Sequence, residues 1–165
     1  TRAPRTAGGR VSIVRQRGRS SKADTPDEPT RHQSREAALQ LLYQSEVGKV
    51  PIDVALETFD RLEFIPSQRE FSTWLAKGTA SHLKDIDPLI TRSAQHWRLT
   101  RMAVIDRLIM RIAVFEFLYA HDTPRAVVIN EAIELARTFS AHEAVPFVNG
   151  VLDDIKRHLD GETVD

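Results

Sequence analysis

Two pairs of side chains have types and spacings that can support catalysis. Glu131 and Glu134 lie three positions apart beside Asn130, so a helix would place both carboxylates on one face, as in an acid–base pair. Arg92 and His96 lie one helical turn apart, a spacing that some helical nucleases approximate. Neither pair has a nucleophile or metal ligand beside it. We therefore interpret the carboxylate pair as structural and the Arg/His spacing as chance.

The remaining chemical signals point away from an enzyme. The six histidines are scattered with no two of them four residues apart, no Glu-x-x-His is present, and there is no cysteine. Glycine-rich phosphate loops and the Gly-x-Ser-x-Gly motif are also absent from the sequence. We expect no catalytic residue, no metal site and no cofactor.

The elements that position these residues read as helices. Apolar side chains recur at spacings of three and four throughout the chain, most clearly from residue 100 to residue 159, and no segment alternates with a period of two. The pattern predicts an all-α protein. The predicted helices are Thr30–Gly48, Pro51–Glu63, Ser67–Lys84, Pro88–Trp97, Arg101–Ala120, Val128–Ser140 and Pro146–Leu159.

Two charges interrupt the apolar stripe of the fifth helix. Glu116 continues the stripe, and Arg111 lies between Met110 and Ile112. A charge near a core is costly unless it is paired. We expect Arg111 to form a structural tie, either to the turn of Glu116 or to a carboxylate of the next helix such as Glu131.

The charge of the chain is unevenly distributed. The 165 residues have a formal net charge of zero, but residues 1–23 carry seven basic side chains and no acidic ones, which leaves a net charge of −7 on the rest. We expect residues 1–29 to be a disordered basic arm and residues 30–165 to be one helical domain. This arm has three possible interpretations. It can bind a polyanion, it can be a disordered leader that its charge keeps solvated, or it can be an organellar transit peptide. No apolar run is long enough for a membrane span.

A second basic cluster opens the first helix, where Arg31, His32, Gln33 and Arg35 occupy the first turns. Cations are disfavoured at a helix N-terminus, and a bound anion would offset that cost. The alternative is an ordinary solvated basic turn.

Four segments together resemble the NusB family of bacterial transcription antitermination factors. They are SREAALQLLYQSE (Ser34–Glu46), DRLIMRIAVFEFL (Asp106–Leu118), VVINEAIELARTFS (Val127–Ser140) and FVNGVLD (Phe147–Asp153). The resemblance extends from Arg31 to Leu159, and its most specific part is the combination of INEAIELA (Ile129–Ala136) with FVNGVLD at this distance. Residues 50–97 are only generically similar.

The resemblance implies about seven helices in two packed antiparallel helical bundles, without catalysis. It also implies a cytoplasmic protein that binds the boxA element of ribosomal RNA leader transcripts together with the small-subunit ribosomal protein NusE. In that role the protein acts within the elongation complex of RNA polymerase and supports transcription and maturation of ribosomal RNA. The negative body agrees with a basic partner that completes the RNA-binding surface.

The resemblance also assigns residues to these contacts. Asp106 falls where the family meets its ribosomal partner. The residues that fall on the RNA-binding side are Arg31, His32, Gln33, Arg35, Tyr43, Glu143 and Phe147. Two of the four residues at the start of the first helix are not arginine, so this patch is weaker than in the most basic members. Tyr43 and Phe147 also fit half-buried core aromatics.

Two alternatives come from other functional classes. One is a helical module that only self-associates, as a homodimer. The other is a truncated accessory domain of a ribosomal RNA cytosine methyltransferase, although the sequence contains no glycine-rich site for a methyl donor.

Overall fold

The computed structural model of the protein describes residues 28–61 and 66–161, and all regular elements within those ranges are helical. The predicted all-α fold with seven helices is confirmed. Two 3₁₀ turns, Glu57–Arg61 and Leu99–Arg101, accompany the α-helices. The helices are α1 (Glu28–Gly48), α2 (Ile52–Leu56), α3 (Pro66–Ser81), α4 (Leu83–Ala94), α5 (Val104–Tyr119), α6 (Arg125–Phe139) and α7 (Ala144–Leu159). Residues 1–27 of the predicted arm lie outside the described ranges.

Several helices begin earlier than predicted because proline is tolerated in a first turn. Helix α1 begins at Glu28 and includes Pro29, which the sequence analysis placed before the helix. Helix α7 likewise begins at Ala144 with Pro146 in its first turn. The backbone N–H that proline lacks has no partner within the helix at these positions, so little is lost.

Helix α4 differs most from the prediction, since Pro88 lies inside it and not at its first position. The helix begins at Leu83, and its buried stripe of Ile86, Ile90 and Ala94 runs past the proline at spacings of four. Burial of this stripe outweighs the backbone hydrogen bond that Pro88 cannot donate. The second predicted helix is also shorter, because α2 ends at Leu56 and continues as a 3₁₀ turn.

Helix α5 is the centre of the fold. It is buried on almost all sides, with Ile109, Met110 and Val114 completely inaccessible to solvent. A helix that is buried on almost all sides must be surrounded by others. One bundle contains α1 and α3, which both pack on α5. The other bundle contains α4, α6 and α7, which also pack on α5. The two packed bundles therefore share α5.

Ion pairs link α5 to its neighbours, but not in the predicted combination. Arg111 binds Asp87 of α4 through two hydrogen bonds of 2.9 Å, and Glu46 of α1 lies 3.6 Å away. Glu116 is paired with Arg35 of α1 instead. The prediction that Arg111 reaches the turn of Glu116 or Glu131 was wrong in its partners, since Arg111 faces α4 while Glu116 faces α1.

None of the described helices combines the length and hydropathy required to cross a membrane.

Candidate nucleic-acid interface

The basic cluster at the start of α1 is largely neutralised by carboxylates. Arg35 is the clearest case, because its guanidinium donates three hydrogen bonds of 2.7 to 3.2 Å to the carboxylate of Glu116. The side chain of Arg35 is 4% exposed, so it cannot meet RNA without leaving this pair. Burial alone would lower the pKa of Arg35, but the hydrogen bonds and charge of Glu116 outweigh it and raise that pKa. Its position indicates a structural role.

His32 is held between two carboxylates on different helices. Its Nδ1 lies 2.8 Å from Glu131 of α6, and its Nε2 lies 3.0 Å from Glu36, one turn further along α1. Burial would lower the pKa of His32, but the hydrogen bonds and negative charges of Glu131 and Glu36 together raise it. With both ring nitrogens donating, the imidazolium already has two anionic partners.

Arg31 and Gln33 are the exposed members of the cluster. The guanidinium of Arg31 stacks on the ring of Phe71 at 5.0 Å and lies 3.9 Å from Asp122, an exposed pair that water screens. Gln33 accepts a hydrogen bond of 2.8 Å from Gln68 of α3. Within the cluster, therefore, Arg31 is the cation that a phosphate can reach.

Tyr43 lies on the solvent face of α1, nearer its C-terminal end. Its side chain is 41% exposed, so it is a surface aromatic and not part of the core. Glu46 follows Tyr43 by about one helical turn, and it pairs with Arg107 in the first turns of α5. Because Arg35 meets Glu116 while Glu46 meets Arg107, α1 and α5 run antiparallel.

The remaining predicted residues gather at the N-terminal end of α5. Asp106 lies in its first turn and accepts a hydrogen bond from Ser140, which ends α6. Glu143 is exposed at the start of α7, and Phe147 follows it by one turn, half-buried. About ten residues of helix, or roughly 15 Å, separate this end of α5 from Glu116. The predicted site is thus two groups, one at each end of α5.

Phe147 has an aromatic neighbour, Trp97, that neither the sequence pattern nor the family resemblance assigns to the site. The indole of Trp97 meets its ring edge-on, with the centroids 6.2 Å apart. Trp97 is 58% exposed, more than any other large hydrophobic residue in the described ranges. The signal available in the sequence was a tryptophan within a stretch that holds arginines and no acidic residue.

The carboxylates considered for acid–base chemistry have structural partners. Glu131 binds His32 and lies 3.7 Å from Arg35, and Glu134 binds Arg137 at 2.6 Å on the same helix. In the described ranges, no group of three or more His, Asp or Glu side chains is placed to hold a metal ion.

Comparison with known proteins decides the family. The model of the NusB family matches residues 32–157, which is most of the chain. The chain belongs to the NusB family. It is therefore a transcription antitermination factor and not an enzyme, as the sequence analysis predicted.

Individual relatives agree with this assignment. The transcription antitermination protein NusB of Koribacter versatilis (strain Ellin345) is 45% identical over 135 residues, which cover 81% of this chain and 92% of that protein. The solved structure of T. maritima NusB is 33% identical with a TM-score of 0.71, covering 77% of this chain and 90% of that one. A NusB structure solved with NusE and double-stranded RNA is 20% identical with a TM-score of 0.72, covering 79% of this chain and 98% of that one. At this identity the match supports the fold alone.

Proposed function

We propose that this chain binds the boxA element of ribosomal RNA leader transcripts together with the ribosomal protein NusE, as part of the elongation complex of RNA polymerase. The observation that carries the proposal is the 45% identity to a transcription antitermination protein over 92% of that protein's length. This relationship also favours antitermination over an accessory domain of a methyltransferase. In this role the chain supports transcription and maturation of ribosomal RNA, and it acts in the cytoplasm.

The surface suits a single-stranded RNA that needs a second protein. Single-stranded RNA is bound by aromatic side chains that stack on bases and by arginines that contact phosphates. Phe147 and Tyr43 supply accessible aromatic rings toward one end of α5, and Arg31 supplies an accessible guanidinium at the other. Because His32 and Arg35 are neutralised within the protein, a basic partner would strengthen the attraction for RNA.

Each residue predicted from the family resemblance receives a role in this proposal. Asp106, oriented by Ser140, contacts NusE. Arg35 and His32 position the start of α1 and do not touch RNA in this arrangement. The seven basic side chains of residues 1–23 add attraction for RNA. The RNA-contacting residues are Arg31, Gln33, Tyr43, Glu143 and Phe147.

A titration with labelled RNA tests the proposal. A boxA-containing single strand and a scrambled strand of equal composition are titrated with the full chain, with and without NusE, over a series of salt concentrations. We expect preference for boxA, tighter binding with NusE and a steep loss of affinity with salt. Equal affinity for the two strands in both conditions would refute RNA recognition. Sedimentation of the same samples shows whether the chain only self-associates.

A further inference from the structure

We infer that Trp97 and the loop around it, residues 95–101, form a base-stacking platform that extends the proposed RNA site beyond the residues assigned from the family resemblance. The inference rests on the proposed function, since it names a further contact for the same RNA. The occupant is one or more unstacked bases of the single strand, with the flanking phosphates on the arginines of the loop.

The aromatic part of the platform is two rings whose planes meet at 67°. Trp97 presents its indole to solvent, while Phe147 supports it from α7 in an edge-on contact of 6.2 Å between centroids. An indole of this exposure has an open π-face, and bases stack on such faces with little dependence on sequence. The contact also joins the platform to Phe147, which the family resemblance places on the RNA side.

The electrostatic part is a stretch of the chain with one sign of charge. From residue 88 to residue 105 there are three arginines, Arg92, Arg98 and Arg101, and no acidic residue, although the chain outside the arm is net negative. All three are exposed. Within residues 28–61 and 66–161, no carboxylate lies at ion-pair distance from any of them. This contrasts with Arg35, Arg107 and Arg111, which are all paired.

The loop is held in place by its own backbone and by α5. Gln95 takes a left-handed conformation (φ 45°), which a residue with a side chain rarely adopts, and this ends α4. The N–H of Trp97 then donates to the carbonyl of Ala94 at 3.1 Å. Arg107 donates to the carbonyl of Leu99 at 3.0 Å while it pairs with Glu46, so the loop is tied to both α5 and α1. A preorganised platform loses less entropy on binding.

The charge pattern favours RNA over a protein as the occupant. Unpaired arginines around an exposed aromatic match a strand whose every residue carries a phosphate and a base. Tryptophan and arginine are also enriched at protein interfaces, but charge as a whole is depleted at the core of such an interface, whereas residues 88–105 carry three arginines and no carboxylate. Arg92 and His96, whose spacing had no catalytic partner, also belong to this surface. Arg92 lies in the last turn of α4, where the helix dipole favours cations, and His96 lies in the turn that follows the helix.

The chain contains two tryptophans, Trp74 on α3 and Trp97, which permits a direct spectroscopic test. In the Trp74→Phe variant, Trp97 is the sole indole, and in the Trp97→Phe variant, Trp74 is. We expect unlabelled boxA RNA to quench the fluorescence of the first variant and leave that of the second unchanged. The scrambled strand at the same concentration is the comparison.

Affinity provides a second, independent measurement on the same complex with NusE. We expect Trp97→Ala to weaken RNA binding about 5- to 100-fold, and Trp97→Phe to retain most of it because a ring remains. Arg98→Ala and Arg101→Ala should each reduce the slope of log affinity against log salt by about 0.7. Circular dichroism and the melting temperature verify that each variant is folded.

The outcomes separate this inference from the proposed function. If the wild-type chain selects boxA but Trp97 is neither quenched nor required, the platform is refuted and the proposed function stands. If the fluorescence of Trp97 changes with NusE alone and not with RNA, the loop is a protein surface and the inference fails. If neither the wild type nor any variant binds RNA with or without NusE, both fail together.

Discussion

Arg35 on α1 and Glu116 on α5 form a buried ion pair in which both side chains are at most 4% exposed. The pair joins the bundle that begins with α1 to the helix that both bundles share. The carboxylate of Glu116 accepts three hydrogen bonds from the guanidinium of Arg35. These bonds offset the cost of taking two charges out of water. The residue that the family resemblance placed on the RNA is therefore bound within the protein.

Removal of Arg35 alone should be strongly destabilising. Arg35→Ala leaves the carboxylate of Glu116 buried without its partner, so the free energy of unfolding should fall by about 3–5 kcal/mol in urea titrations. The double variant Arg35→Met, Glu116→Leu removes both charges and keeps apolar volume, and it should recover most of that loss. A small effect of the single change would show that the pair is not buried in solution.

The same double variant tests whether Arg35 contacts RNA. If its role is structural, the folded double variant should bind boxA RNA in the presence of NusE as well as the wild type does. A folded double variant that has lost RNA affinity would instead assign Arg35 a direct contact. Circular dichroism on the binding samples confirms that the compared proteins are folded.

His32 should make stability depend on pH. The ring titrates at 6.5 when unperturbed, and its two carboxylates raise that pKa in the folded protein. The contribution of the protonated His32 ring to the free energy of unfolding is therefore complete below pH 6.5. It is lost as the pH rises from 6.5 through the raised pKa, because in that range the folded state retains a proton that the unfolded chain has released. The stability advantage of the wild type over His32→Gln should shrink with rising pH. An advantage that grows with pH, or an NMR titration of the ring below 6.5, would contradict this.

Gly78 should resist substitution because of its neighbour. A Cβ at this position would overlap the ring of Phe115, which is buried and packed against Trp74, Tyr119 and His82. We expect Gly78→Ala to lower stability by about 1–3 kcal/mol. The matched control is Gly150→Ala on α7, where nothing lies within 4 Å of the new methyl group. There a gain of about 0.5–1 kcal/mol is expected from helix propensity alone. Thermal unfolding of both variants tests the contrast, and equal effects would contradict it.

Asp106 should act on the protein partner and not on the RNA. We expect Asp106→Ala to weaken binding to NusE by about 1 kcal/mol or more in calorimetry, since its position is fixed by Ser140. Binding of boxA RNA by the chain alone should be unaffected. Glu134→Ala removes an exposed carboxylate of α6 and serves as the control. Equal affinities of the two variants for NusE would argue against the role.

Helical periodicity was sufficient to predict all seven helices, because their apolar stripes are continuous. The ends of the helices were less predictable. At Pro88 the sequence predicts the first position of a helix, but a buried stripe runs past the proline, and the helix begins five residues earlier at Leu83. The site was harder. Whether a cation is free depends on carboxylates brought by distant helices, as Glu116 and Glu131 are brought to Arg35 and His32.

A transcription assay tests the central claim most directly. RNA polymerase transcribes templates in which an intact or a scrambled boxA precedes a terminator, and read-through is measured with this chain and NusE added together or singly. We predict that the two proteins together raise read-through on the intact boxA template only, and that neither suffices alone. Read-through that is equal on the two templates, or unchanged when this chain is omitted, would contradict the account.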